Sequence, residues 1–94
     1  MLFLGAMPGE EMPTVHREAG FRFFFVMADV SAEEPEHVHV EGHEGFAKVW
    51  LRDLSFASCR GYNPAQKGEI LRIVGRKRSA MLQKWDEERA RSQS

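Results

Sequence analysis

Pro35-Glu36-His37-Val38-His39-Val40-Glu41 is the stretch that decides the fold, because its two histidines and a glutamate alternate with valines. Successive side chains of a strand point to opposite faces, so His37, His39 and Glu41 share one face and Val38 and Val40 the other. The valine side is a core face. The other side carries groups able to titrate, bind a metal or touch a partner.

Downstream, Gly42-His43-Glu44-Gly45 reads as a turn, and folding the chain back across it fixes a register. Glu41 falls opposite Phe46, His39 opposite Lys48 and His37 opposite Trp50, while Val38 faces Val49 and Val40 faces Ala47. A slip of one residue would set the valines beside Lys48 and Trp50, which disfavours it. Upstream, Thr14-Val15-His16-Arg17 and Phe21-Arg22-Phe23-Phe24-Phe25-Val26-Met27 are β-prone runs joined by Glu18-Ala19-Gly20, a three-residue connection with glycine where a hairpin wants a positive φ. In the second run Phe21, Phe23, Phe25 and Met27 form one face and Arg22, Phe24, Val26 and Ala28 the other. Both faces are largely apolar, so a central strand is expected, covered by the domain's own helix on one side and by another subunit on the other. Ala28 to Glu36 carries only acidic charge and contains Pro35, the texture of an exposed loop. Leu54-Ser55-Phe56-Ala57-Ser58-Cys59 supplies a short further strand, ended by Arg60-Gly61-Tyr62.

Asn63-Pro64-Ala65-Gln66 starts a helix, with Asn as N-cap, Pro at the first helical position and Gln placed to reach back to the cap. Ile70, Val74, Met81 and Trp85, flanked by Leu71, Ile73 and Leu82, form its buried stripe. Unbroken to about Ala90, such a helix is ~40 Å long. A compact domain of this size is only ~32 Å across. Gly75 costs about 1 kcal/mol relative to alanine in a helix, so a bend or short break between Val74 and Ser79 is expected. The fold class is α+β: an antiparallel sheet of three to five strands from two β-hairpins, with a C-terminal long helix or kinked helix pair on one face. Residues 1–11 read as a flexible leader, 12–91 as a single domain and 92–94 as a frayed tail.

With 94 residues, 43% hydrophobic and 29% charged, the chain has the size and composition of one folded domain. No run approaches the ~18 apolar residues of a membrane span. The lone Cys59 cannot form an internal disulfide, which together with the lack of a signal-peptide pattern points to the cytoplasm. The net charge of −1 hides a segregation: residues 1–60 hold 5 Lys/Arg against 10 Asp/Glu, or −5, and residues 61–94 hold 8 against 4, or +4. Such polarity implies that the two ends meet different things, or that copies meet head to tail.

Met12-Pro13-Thr14-Val15, Gly20-Phe21-Arg22-Phe23-Phe24-Phe25, Pro35-Glu36-His37-Val38-His39-Val40, Ala47-Lys48-Val49-Trp50-Leu51 and Arg60-Gly61-Tyr62 together resemble a family of small bacterial proteins, domain of unknown function 4160. The likeness runs from Met12 to about Glu88 and is most specific through His37 and His39. The resemblance implies a small cytoplasmic protein, often encoded beside a second small protein in toxin–antitoxin-type gene pairs, and implies no established activity. This chain departs from the family at Glu36, where a second proline is common, and in a longer loop from Ala28 to Glu34.

Two histidines one residue apart on a strand can both reach one zinc or iron ion, since their Cβ atoms lie ~6.5–7 Å apart. Glu41 lies ~13 Å from His37 along the strand and cannot join them. A metal at His37 and His39 therefore needs a further ligand, for which His16, His43, Asp53 and Cys59 are the candidates. The alternative role for the pair is structural: stacking on Trp50 and Phe24, or hydrogen-bonding loop backbone, and so holding the acidic loop on the sheet. No cofactor is called for beyond such a divalent ion. No nucleophile turn, phosphate loop or carboxylate pair marks a catalytic residue, and Cys59 reads as a small half-buried thiol. Arg72, Arg76, Lys77 and Arg78 give the helix a basic flank that suits a partner or nucleic acid, or a solvated face paired with its own acids. The leading expectation is a non-enzymatic, oligomeric, protein-binding component of a small bacterial operon module. Behind it stand a metal-dependent hydrolase or nuclease centred on His37 and His39, and a nucleic-acid-binding regulator using the basic helix.

Overall fold

Residues 12–92 are described by the computed structural model; the expected leader lies outside them, as do the last two residues of the expected tail. Five antiparallel strands follow one another across a single sheet: β1 (Thr14–Glu18), β2 (Phe21–Phe24), β3 (His37–Gly42), β4 (Gly45–Trp50) and β5 (Ser55–Arg60). One helix, α2 (Pro64–Ser92), closes the chain, and a single-turn helix, α1 (Met27–Ser31), interrupts the connection from β2 to β3. The α+β architecture follows from the alternation of apolar residues read above.

The β3–β4 register is the one that the valines dictate: His37 pairs with Trp50, Val38 with Val49, His39 with Lys48, Val40 with Ala47 and Glu41 with Phe46. Gly42 also pairs with Gly45, which tightens the turn to His43 and Glu44, both at positive φ. The first hairpin is likewise tighter than expected, since Glu18 pairs with Phe21 and only Ala19 and Gly20 turn the chain.

Phe21, Phe23, Val38, Val40, Ala47 and Val49 form the core face and cluster with Ile70, Ile73, Val74, Met81 and Trp85 of α2. The helix begins at a reciprocal cap: the Gln66 N–H donates to Asn63 Oδ1 at 2.8 Å, and the Asn63 N–H donates to Gln66 Oε1 at 2.9 Å.

Three expectations are corrected. The strand read over Phe21 to Met27 stops at Phe24; the Phe25 N–H bonds to the Pro13 carbonyl instead of continuing the ladder, and Met27 opens α1. The acidic stretch after it is not all loop, because Val30 is fully buried and draws one helical turn against α2. Finally, α2 does not break near Gly75. It runs for 29 residues, and the molecule measures 46 Å along its longest axis. The tail of α2 has cover from its own chain: α1 packs against the helix, and Arg89 pairs with Glu33 just beyond α1 at 3.5 Å.

Candidate functional site

The sheet face opposite the core carries three cross-strand rows set by the observed register. Arg22, Glu41, Phe46 and Arg60 form one, Phe24, His39, Lys48 and Ser58 the next, and His37, Trp50 and Ser55 the third. Cations lie over aromatic rings within this face: Arg22 is 4.3 Å from the Phe24 centroid and Lys48 4.7 Å from that of Trp50. The same cations pair with acids, Arg22 with Glu41 at 2.9 Å and Lys48 with Glu34 at 3.1 Å. Phe46 is 60% exposed, and Arg60 beside it is also exposed.

At one end of this face α1 brings Asp29 over the two histidines of β3. Asp29 Oδ2 lies 2.9 Å from His37 Nε2 and 3.0 Å from His39 Nε2. His37 is completely buried, its ring edge-on to Trp50 at 5.5 Å and against Trp85 at 5.1 Å. His39 stacks on Phe24 at 5.4 Å. Its side chain and that of Asp29 are each 23% exposed, so the cluster opens to solvent on their side. Burial pushes the His39 imidazole below its ordinary pKa and outweighs the opposing effect of its hydrogen bond to Asp29. Burial works against ionisation of Asp29, but the hydrogen bonds from His39 and His37 prevail and hold its carboxyl below the usual carboxylate range.

Among the described residues, ligand atoms of Asp29, His37 and His39 lie within 4.8 Å of one another, close enough for a single ion. The third member was missed in the sequence. Its signal was an aspartate eight residues before His37 and directly before the lone valine of the acidic stretch. The other ligand candidates are engaged elsewhere. His16 bonds to Glu18 within β1, His43 to the Ala19 carbonyl at the hairpin ends, and Asp53 to Ser55 in the β4–β5 turn, while Cys59 sits half-buried on β5. Of the basic flank, Arg72 pairs with Glu69 and Arg76 with Glu18, and Arg78 donates to the backbone carbonyls of Leu51 and Arg52.

A family model described as a domain of unknown function, DUF4160, matches residues 20–86. The chain belongs to this family. The DUF4160 match takes in Asp29, His37, His39 and all three rows of the opposite face, and it ends within α2. No curated protein and no solved structure matches the chain. No helix among the described residues is long and apolar enough to cross a membrane.

Proposed function

We propose that the chain is a protein-binding component of a small bacterial operon module of the toxin–antitoxin kind, and that it receives its partner, a second small protein encoded beside it, on the sheet face opposite α2. The observation that carries this reading is Phe46, 60% exposed and paired across the strands with Arg60. Aromatic residues and arginine are the side chains enriched at the centres of protein interfaces. Arg22 and Lys48 are committed to Glu41 and Glu34, while Arg60 lies directly across the strands from Phe46. The matching partner surface is an apolar pocket with an acidic rim.

The face is favoured over the edges because both outer pairings are irregular. The β1–β2 register shifts between Thr14 and His16, and the β4–β5 register shifts at Lys48 and Val49. Such bulges twist an edge away from further strand addition. The nucleic-acid reading has less support, since Arg72, Arg76 and Arg78 all have partners within the chain. Hydrolysis also has less, because no nucleophile turn, phosphate loop or carboxylate pair accompanies the histidines in the sequence.

Co-expression with the product of the adjacent gene, followed by light scattering of the purified material, tests the proposal. The expected result is a hetero-complex that is lost in Phe46→Glu and weakened in Arg60→Glu, while both variants keep the circular dichroism of the parent. An undiminished complex in the Phe46→Glu, Arg60→Glu double variant, or no complex with the purified neighbour, rejects it. Self-association removed by Phe46→Glu, without a hetero-complex, would make a second copy the occupant of this face.

A further inference from the structure

We propose that Asp29, His37 and His39 form a mononuclear site for a divalent transition metal, zinc or iron, with coordination left open on the side where Asp29 and His39 meet solvent. This goes beyond the partner-binding reading and does not depend on it. The geometry comes first. With metal–ligand bonds of about 2.0–2.1 Å, adjacent ligand atoms of a coordination polyhedron lie ~2.9 Å apart at right angles and ~3.3 Å apart in a tetrahedron. Two of the three edges, from Asp29 Oδ2 to each imidazole nitrogen, are 2.9 and 3.0 Å and already have such a length, and the third, between the imidazoles, is within 4.8 Å and closes as the ion binds.

The hydrogen-bond inventory of His37 points the same way. Its Nδ1 lies 2.9 Å from the Pro35 carbonyl oxygen, an acceptor only, so Nδ1 carries the N–H. Its Nε2 lies 2.9 Å from the Asp29 carboxylate, which when ionised only accepts, so a positive centre, a proton or a metal ion, belongs between them. An imidazole N–H donated to a backbone carbonyl, with the other nitrogen free to bind, is also how metal-ligating histidines are usually oriented. His39 is fixed differently, by its stack on Phe24 at 5.4 Å. Two imidazoles and one carboxylate suit zinc, iron, cobalt or manganese, and not the oxygen-seeking calcium or magnesium. Three protein ligands leave at least one position for water or a partner's side chain. Bound there, the ion would tie α1 to β3.

The test uses the isolated, untagged full chain, stripped with chelator and titrated with cobalt(II) chloride and then zinc chloride. One cobalt per chain is expected, with visible absorption bands displaced by zinc. Trp50 and Trp85 both lie within 5.5 Å of His37, so cobalt should also quench the tryptophan fluorescence. Zinc should raise Tm. Asp29→Asn and His39→Gln preserve side-chain size at partly exposed positions, so folding is retained, whereas His37→Ala would empty a fully buried position; each of the two should weaken cobalt binding at least tenfold and remove the zinc-induced rise in Tm. His43→Ala should change neither. Absence of stoichiometric binding, binding indifferent to Asp29→Asn and His39→Gln, or binding abolished by His43→Ala would each overturn the site and leave a proton, not a metal, between Asp29 and His37.

Discussion

Tyr62 shows how much one side chain can hold. Its ring is only 8% exposed and lies edge-on to Phe21 at 5.6 Å, and its hydroxyl donates to the Gly42 carbonyl at 2.9 Å, pinning the end of α2's approach to the β3–β4 turn. The ring also explains Gly45: a Cβ there would meet Tyr62 Cε1 at 2.5 Å, so any side chain must displace the tyrosine. Burial, and then the negative charges that Cys59 and Glu41 carry at high pH, push the Tyr62 hydroxyl up to about 12 from an ordinary 10.0. Because the raised pKa favours the neutral form in the folded state, its contribution is complete below pH 10 and is lost as the pH climbs from 10 through 12. Tyr62 is the only tyrosine. Absorbance at 295 nm should therefore titrate with a midpoint near 12 in the folded chain and near 10 in denaturant. A folded midpoint at 10 would show the hydroxyl to be free. At this scale the sequence was partly legible. His37, His39 and Trp50 announced themselves by alternation, whereas Asp29 did not, because its role depends on a single helical turn whose one sequence mark is the buried Val30. Glu88 is a second case: it looks like a solvated helix acid, yet it is 2% exposed and is held by Lys84 at 3.3 Å and by Arg91.

Among the elements, the strands were the easiest to foresee, since a period of two with one buried face leaves a single workable register. Helix α2 was foreseen in its cap and stripe but not in its continuity. The expected break rested on the conformational cost of Gly75, and that cost is small beside the burial of Met81 and Trp85 beyond it. Gly75 is instead a place where the helix passes the β4–β5 turn, a Cβ there reaching Leu54 Cδ1 at 3.4 Å. Gly68 has no such neighbour: a Cβ on it meets nothing within 4 Å. Gly68→Ala should therefore stabilise the chain by up to about 1 kcal/mol, raising Tm by roughly 4–8 °C. Gly75→Ala should give less, because its methyl meets Leu54 Cδ1 at 3.4 Å, the near limit of van der Waals contact. Thermal unfolding followed by circular dichroism distinguishes the two, and equal gains would show that Leu54 does not feel the added methyl.

For the whole molecule, the separation of charge along the sequence turns out to be satisfied in part within the chain. Acidic residues of the first two thirds meet basic residues of α2, Glu18 with Arg76 and Glu33 with Arg89. Exposed pairs of this kind add little to stability because water screens them, so they align the helix more than they hold it. What holds it is apolar, and Trp85 is its centre. That side chain is fully buried, edge-on to Phe25 at 5.2 Å and against His37 at 5.1 Å, and so joins the helix, the β2–α1 junction and the start of β3. Its Nε1 is buried without a hydrogen-bond partner among the described residues, so the indole is retained for its volume and not for a bond. Trp85→Ala should cost ~3–5 kcal/mol, a large share of the ~5–10 kcal/mol available to a domain of this size, and lower Tm by well over 10 °C. Trp85→Phe should cost much less, because the phenyl ring keeps most of the contact and removes an unpaired donor whose burial itself costs about 1–3 kcal/mol. Urea unfolding of the two variants decides the matter: if Phe is as damaging as Ala, the indole N–H has a partner after all, and the long helix is held at this point by a polar contact.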